Sequence, residues 1–231
     1  MADLIGRSDF EKALASAVGT RLDGSFKKLM SYLDPDNPSM SDIPASFWQS
    51  LGADLTKEIQ PKLATVFLQA GKAIASSAAV AVPGGIDWTL INKAASEWAK
   101  RYTFELVKGI NETTVNQISQ GISEFFSTPG ATIGDLRDGL AETFGPVRAA
   151  MIASTEVTRA SVQGELNMVN VIEDESHLNM IPTWLTDRDD LVCDLCGPRD
   201  GKGPDEWDTD EYPPLHVNCR CDLAWAPEGW T

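Results

Sequence analysis

The chain has 231 residues and is strongly acidic, with 34 Asp and Glu against 19 Lys and Arg and a formal charge of −15. The charge argues against tight nucleic-acid binding, because such binding draws most of its affinity from phosphate neutralisation by Lys and Arg. The most apolar stretch, Val66 to Val82, is interrupted by Gln69, Lys72 and two serines, so we expect no membrane span.

Residues 1–40 are predicted to form a short helix and a linker. The helix is expected around Phe10 to Phe26, and the linker carries the turn sequence Asp34-Pro-Asp-Asn-Pro-Ser.

Residues 41–126 form the next segment, which carries two long helical stripes. In the first stripe apolar residues recur every three or four positions. Pro61 lies inside it, which predicts either a kink or two consecutive helices. The members of this first stripe are Phe47, Trp48, Leu51, Leu55, Ile59, Leu63, Phe67, Ala70 and Ile74.

The second stripe follows the Pro83-Gly84-Gly85 break, and Gly109 and Asn111 mark a place where it can divide. Its aromatic residues have the spacing of one buried helix face, so we expect them in a core or a subunit interface rather than in a ligand pocket. We also expect one of the two stripes to face a partner chain. The second stripe consists of Trp88, Ile91, Ala95, Trp98, Tyr102, Leu106, Val115, Ile118, Ile122 and Phe125.

Residues 127–182 are predicted to be helical. Thr132 is an N-cap with Asp135 three residues later, and Pro146 is suited to the first turn of a long central helix. Glu156 and Arg159 lie one turn apart on that helix. They form either an ordinary intrahelical ion pair or a contact that docks the C-terminal tail, because a charge on an apolar helix needs a partner when buried.

Residues 183–231 contain the only strand signals and the densest chemical signal. All four cysteines and one of the two histidines lie between Cys193 and Cys221. Cys193 and Cys196 form one pair and His216 and Cys219 a second pair with the same gap, which is the usual way to place four soft ligands around zinc. Gly197, directly after the first pair, predicts a residue with positive φ.

The cluster leaves three questions open. Four cysteines can instead form two disulfides, but the first ten residues lack a signal peptide, and a reducing compartment favours a metal. Cys193, Cys196 and His216 are the firm ligands, with Cys219 preferred over Cys221 for the fourth place. Asp187 is a weaker candidate, as a ligand or as a hydrogen-bond acceptor beside the ligands. Because the thiolates can close the coordination shell, we expect a structural zinc.

The predicted fold is therefore mainly α, an elongated helical body followed by a small zinc-stapled α+β C-terminal module. From Thr183 to Thr231 there are twelve Asp and Glu and four Lys and Arg, a net charge of −8. The module is a poor candidate for a DNA reader.

Five stretches of sequence together resemble the phage head-morphogenesis domain of Mu F-like minor head proteins, over about residues 110–225. They occur in the order and spacing of that family, although Ser154 stands where the family usually has Arg and Val217 where it usually has Pro. The stretches are Ile152-Ala-Ser-Thr-Glu-Val-Thr-Arg-Ala160, Trp184-Leu-Thr-Asp187, Val192-Cys-Asp-Leu-Cys196, Asp200-Gly-Lys202 and Pro213-Pro-Leu-His-Val-Asn-Cys-Arg-Cys221.

The resemblance implies a minor capsid protein, present in few copies, that acts with portal, capsid and scaffold proteins in head assembly and in some members affects DNA ejection. It implies a place in the virion, inside the capsid near the portal vertex, and in the host cytoplasm during assembly. We expect an oligomer, with residues 41–126 as the oligomer or portal contact. We do not expect an enzyme.

Two other functions stay open at this point. One is a zinc-dependent nuclease or toxin-type enzyme, and the other is a zinc adaptor module of non-viral origin. The sequence has no glycine-rich phosphate loop and no Ser/His/Asp set in a sensible order, which argues against the enzyme.

Overall fold

The computed structural model describes residues 6–77 and 82–229, and it is 69% helical with a small two-stranded sheet near the C-terminus. The mainly α fold is as predicted. Within those ranges no helix is long and apolar enough to cross a membrane; residues 78–81 of the apolar stretch lie outside them. The main elements are α1 (Arg7–Tyr32), α2 (Ala45–Ser77), α3 (Trp88–Ser127), α4 (Ile133–Ala141), α5 (Pro146–Ser176), β1 (Met180–Leu185) and β2 (Asp222–Pro227).

Two predicted helix breaks do not occur. Pro61 lies inside the single helix α2, and α3 runs without interruption past Gly109 and Asn111. The two-helix alternatives are therefore wrong. A proline inside a helix costs about 3 kcal/mol, and burial of apolar side chains on both sides of Pro61, such as Ile59 and Leu63, outweighs that cost.

The first apolar stripe is mostly buried as predicted, whereas the second is buried only in part. In α3 its aliphatic members Ile91, Ala95, Ile118 and Ile122 are buried, while Trp98 and Tyr102 are only half-buried and Trp88 is 37% exposed. The buried face also carries residues outside the predicted stripe, namely Ala99, Thr103 and Val107.

Local signals at the start of α4 and α5 are confirmed. Thr132 accepts a hydrogen bond from the backbone N–H of Asp135 at 3.3 Å, and the Asp135 carboxylate accepts one from the backbone N–H of Thr132 at 2.7 Å. This is a complete capping box. Helix α5 begins at Pro146, as its fixed φ favours.

The chain divides into two compact units, and unit 2 comprises Lys12–Pro61 and Lys100–Ala153. A half-buried arginine ties its segments together. The Arg148 guanidinium donates to the Thr114 hydroxyl at 2.9 Å and to the carbonyl oxygens of Thr143 at 2.8 Å and Ile110 at 3.1 Å.

Unit 1 comprises Met1–Glu11, Lys62–Ala99 and Ser154–Thr231, and it holds the Cys/His cluster. Gly164 of α5 packs directly on the backbone of Phe67 in α2: a Cβ on Gly164 would overlap the Phe67 carbonyl oxygen and lie 2.8 Å from the carbonyl carbon. This close approach requires glycine.

The strand signals expected in residues 183–231 correspond to β1 and β2 of unit 1, although β1 begins earlier, at Met180. Strands β1 and β2 pair antiparallel, with Trp184 opposite Leu223, and both side chains are fully buried. Together with Val162 of α5 they pack against the cysteines of the cluster. The sheet therefore joins the Cys/His segment to α5.

Candidate metal centre

Two backbone turns present the candidate ligands. In the first turn, residues 193–196, the N–H of Cys196 donates to the Cys193 carbonyl at 3.2 Å. In the second turn, residues 216–219, the N–H of Cys219 donates to the His216 carbonyl at 3.3 Å. The first turn thus places the Cys193 and Cys196 sulfurs within 4.8 Å of each other, as the spacing predicts.

The prediction for Gly197 is wrong. Gly197 does not have a positive φ; it begins a 3-10 helix, Gly197–Arg199, that continues the right-handed path of the first turn. The left-handed residue is Asn218 in the second turn, with φ of 64°. Asn tolerates this conformation better than most residues, which explains its position between the two ligands of the second turn.

The turns bring nitrogen and sulfur atoms to metal-binding separations. The His216 Nε2 atom lies 3.2 Å from the Cys193 sulfur and 3.3 Å from the Cys196 sulfur, and the sulfurs of Cys196 and Cys219 are 3.9 Å apart. Neighbouring sulfurs in a tetrahedral site with Zn–S bonds of about 2.3 Å lie about 3.8 Å apart. The observed separations are close to that geometry.

The orientation of His216 suits a metal ligand. Its Nδ1 atom lies 2.9 Å from the carbonyl oxygen of Val217. Because a carbonyl only accepts, Nδ1 carries the proton and Nε2 keeps a free lone pair directed at the sulfurs. A hydrogen bond at the far nitrogen of a histidine is the usual support of a ligand.

Five donors, rather than four, form the cluster. Cys193, Cys196 and His216 form one group and Cys196, Cys219 and Cys221 a second, with the atoms of each group within 4.8 Å of one another. Cys196 belongs to both groups. No cysteine in the described chain forms a disulfide. All five donors line one small cavity, and each of the two groups could hold a metal ion.

Asp187 also lines this cavity, but among the described residues its carboxylate does not belong to either group of candidate ligands. Its carboxylate forms an ion pair with Arg220 at 3.4 Å, and the same guanidinium is 3.1 Å from Asp189. Arg220 thus links the loop after β1 to the second turn.

The thiols differ sharply in acidity without a metal. The hydrogen bond from Cys221 lowers the pKa of Cys219 to about 5, against the effect of burial. Burial and the nearby Cys219 charge raise the pKa of Cys196 to about 12. The pKa of Cys221 is raised, first by its hydrogen bond to Cys219. Metal binding therefore has to release protons, and its affinity rises with pH.

His216 has a raised pKa. Burial alone lowers the pKa, but the Val217 carbonyl and the charges of Cys219 and Cys193 outweigh that effect. Below this pKa a proton competes with a metal for Nε2, which adds to the loss of affinity at low pH.

Two threonines of α5 hold the second turn. The Thr155 hydroxyl accepts from the backbone N–H of Asn218 at 2.7 Å, and the Thr158 hydroxyl donates to the carbonyl of Cys219 at 2.7 Å. The Arg7 side chain of α1 donates to Thr158 from the other side. Both threonines are buried. The sequence did not lead us to predict these two hydrogen bonds, although two hydroxyls one turn apart on an apolar helix can indicate contacts to a neighbouring backbone.

Glu156 and Arg159 lie beside these threonines. Glu156 is buried and its carboxylate is 3.8 Å from the half-buried Arg159 guanidinium, one helical turn away. The other histidine, His177, is exposed beyond the end of α5 and is not part of the cluster.

A buried arginine supports the first turn. Arg199 is 4% exposed, donates to the Leu195 carbonyl and to Asp208, and has its guanidinium carbon 5.7 Å from the ring centre of Trp184. Its hydrogen bond to Leu195 fixes the backbone between the two cysteines.

Residues 99–224 match the family described as Phage Mu protein F like protein, which is more than half of the chain. The chain belongs to this family. Comparison with curated proteins and with solved structures gave no match. The family region contains all five donors and both threonines, and family membership identifies the chain as a phage head protein of the virion.

Proposed function

We propose that this chain is a minor capsid protein that acts in head assembly near the portal, and that its Cys/His cluster holds a structural zinc ion. The proposal rests on one observation: the Mu F-like region contains all five donors of the Cys/His cluster. Two buried threonine hydroxyls bind this cluster's second turn to α5.

The donor chemistry favours zinc. Thiolate sulfur and imidazole nitrogen together suit Zn²⁺, whereas Mg²⁺ and Ca²⁺ prefer oxygen. The proposed ligands are Cys193, Cys196, His216 and Cys219. Cys221 then remains as a buried neighbour, and Asp187 acts beside the ligands through Arg220. Four protein ligands leave no open position, which makes the role structural.

The C-terminal module needs a bound metal ion for its stability. It carries a net charge of −8, and its described residues, which end at Gly229, contribute to one two-stranded sheet; small segments of this kind bury little apolar surface. Structural zinc contributes on the order of 10–16 kcal/mol of apparent binding free energy. The ion thus links the two turns, and Thr155 and Thr158 hold the second turn against α5.

The partners in this proposal are portal, capsid and scaffold proteins, with the chain assembled as an oligomer. The proposed contact region is residues 41–126. Within it Leu90, Phe104 and Phe126 are 62%, 67% and 57% exposed, and Trp88 is 37% exposed. Burial of these side chains by a partner would remove apolar surface from water and so favour the contact.

Cryo-electron microscopy of assembled heads tests the location. The proposal predicts density for this chain in few copies inside the capsid at the portal vertex. Absence of the chain from heads, together with metal-dependent nicking of plasmid DNA by the purified protein, would favour the nuclease instead. Replacing Trp88 and Phe104 with charged residues should abolish incorporation into heads while zinc content stays unchanged.

A further inference from the structure

Three exposed apolar side chains lie in the segments that carry the candidate ligands, and we name them the apolar patch. Leu191, Leu195 and Val217 are 72%, 52% and 60% exposed. Leu195 lies inside the first turn and Val217 inside the second, while Leu191 lines the cavity that the five donors share.

The patch is held rigidly. The His216 Nε2 atom is within 3.3 Å of both sulfurs of the first turn, so Leu195 and Val217 are carried on two turns that meet. The backbone N–H of Leu191 donates to the Asp189 carboxylate at 3.0 Å. Side chains on fixed turns lose little backbone entropy when they bind, which makes them suited to recognition.

The surroundings of the patch are negative. Asp190 and Asp194 flank its residues and are exposed. Arg220 is paired with Asp187 and Asp189, and among the described residues neither Asp190 nor Asp194 has an ion-pair partner. The free charge beside the apolar side chains is therefore acidic.

The acidic charge around the apolar patch limits which partners can bind there. In a symmetric contact at this patch a second copy would place the same acidic residues, Asp190 and Asp194, against each other, and nucleic acid and anionic lipid are repelled by the same charge. Opposite charge steers a basic partner to the surface, and apolar contact then holds it. We propose that the apolar patch docks a segment of another head protein that presents apolar side chains flanked by Lys or Arg.

This proposal relies on the proposed role in heads for the identity of the partner, and in-cell cross-linking tests it separately. The photo-reactive residue benzoylphenylalanine is placed at Leu195 of the full chain in cells that produce heads, with Leu178 as control. Leu178 is 40% exposed in the same unit but lies outside both turns. We expect a Leu195 adduct to a net-basic segment of another head protein, identified by mass spectrometry, and at least tenfold less of it from Leu178.

Two variants make the test quantitative. Val217→Ser removes apolar contact and Asp194→Lys reverses the charge, and each should reduce the Leu195 adduct at least fivefold while zinc content stays unchanged. Asp174→Lys, an exposed change on α5, should leave the adduct unchanged.

An adduct to a second copy, an adduct to an acidic segment, equal yields from Leu195 and Leu178, or no adduct would overturn the proposal. Presence of the chain in purified heads is scored on the same samples. Loss of the proposed head function is thereby distinguished from loss of this contact.

Discussion

Gly164 provides a sharp test of the packing that positions the metal centre. In Gly164→Ala the new methyl group would overlap the Phe67 carbonyl oxygen and lie 2.8 Å from the carbonyl carbon, where ordinary contact begins at 3.4 Å. From the carbon contact alone, 2.8 to 3.4 Å, α2 and α5 must separate by about 0.6 Å. Both atoms belong to rigid backbone, so no side chain can move aside.

Overpacking of this kind costs about 1–3 kcal/mol, and the backbone overlap places Gly164→Ala at or above the upper end of that range. The better helix propensity of alanine returns roughly 1 kcal/mol. We therefore expect a net loss of about 2 kcal/mol, which for a chain of this size lowers Tm by roughly 4–8 °C.

Gly109→Ala is the matched control. Gly109 lies inside α3 with no atom within 4 Å of an added Cβ, so this change should raise stability by roughly 0.5–1 kcal/mol. Thermal unfolding followed by circular dichroism measures both variants. A Gly164→Ala protein as stable as the wild type would refute the close approach of α2 and α5.

Three further predictions follow from the cluster and its surroundings. Thr158→Val removes the hydroxyl that donates a hydrogen bond to the Cys219 carbonyl. Because this bond supports a ligand, the variant should bind zinc about tenfold more weakly in a chelator competition. Thr113→Val is the control and should leave zinc affinity unchanged, because the exposed Thr113 hydroxyl donates to the Gly109 carbonyl of its own helix. Cys219→Ser should lower zinc affinity sharply and Cys221→Ser only slightly, and equal losses would show that the fourth ligand is misassigned. Burial and the neighbouring Asp222 carboxylate raise the pKa of Glu165 well above its usual value. The folded state therefore binds more protons than the unfolded state, and the free energy of unfolding falls as pH rises from the unfolded pKa of Glu165 toward its folded pKa. Glu165→Gln should flatten this part of the pH–stability curve, and an unchanged slope would contradict the raised pKa.

The sequence was sufficient for several features that one local signal decides. The capping box at Thr132 and the start of α5 at Pro146 depend on side chains within three residues. The two Cys/His turns depend on a spacing of three residues each. Such signals act through neighbouring backbone groups and need no knowledge of the tertiary fold.

The sequence was insufficient wherever distant segments decided. The Thr158 bond to Cys219 joins residues 61 positions apart, and the contact of Gly164 with Phe67 joins two different helices. The buried face of α3 was predicted only in part, because the elements that pack on a long helix decide which of its residues are buried, and Ala99, Thr103 and Val107 lie outside the predicted stripe. Gly197 is a failure of a local signal, because the first turn continues as a 3-10 helix.

X-ray absorption at the zinc edge, combined with elemental analysis of freshly reduced full-length protein, tests the central claim most directly. We predict about one zinc per chain, with three sulfur neighbours at about 2.3 Å and one nitrogen neighbour at about 2.0–2.1 Å. A protein without zinc, or zinc surrounded only by oxygen and nitrogen, would contradict the proposed structural zinc centre.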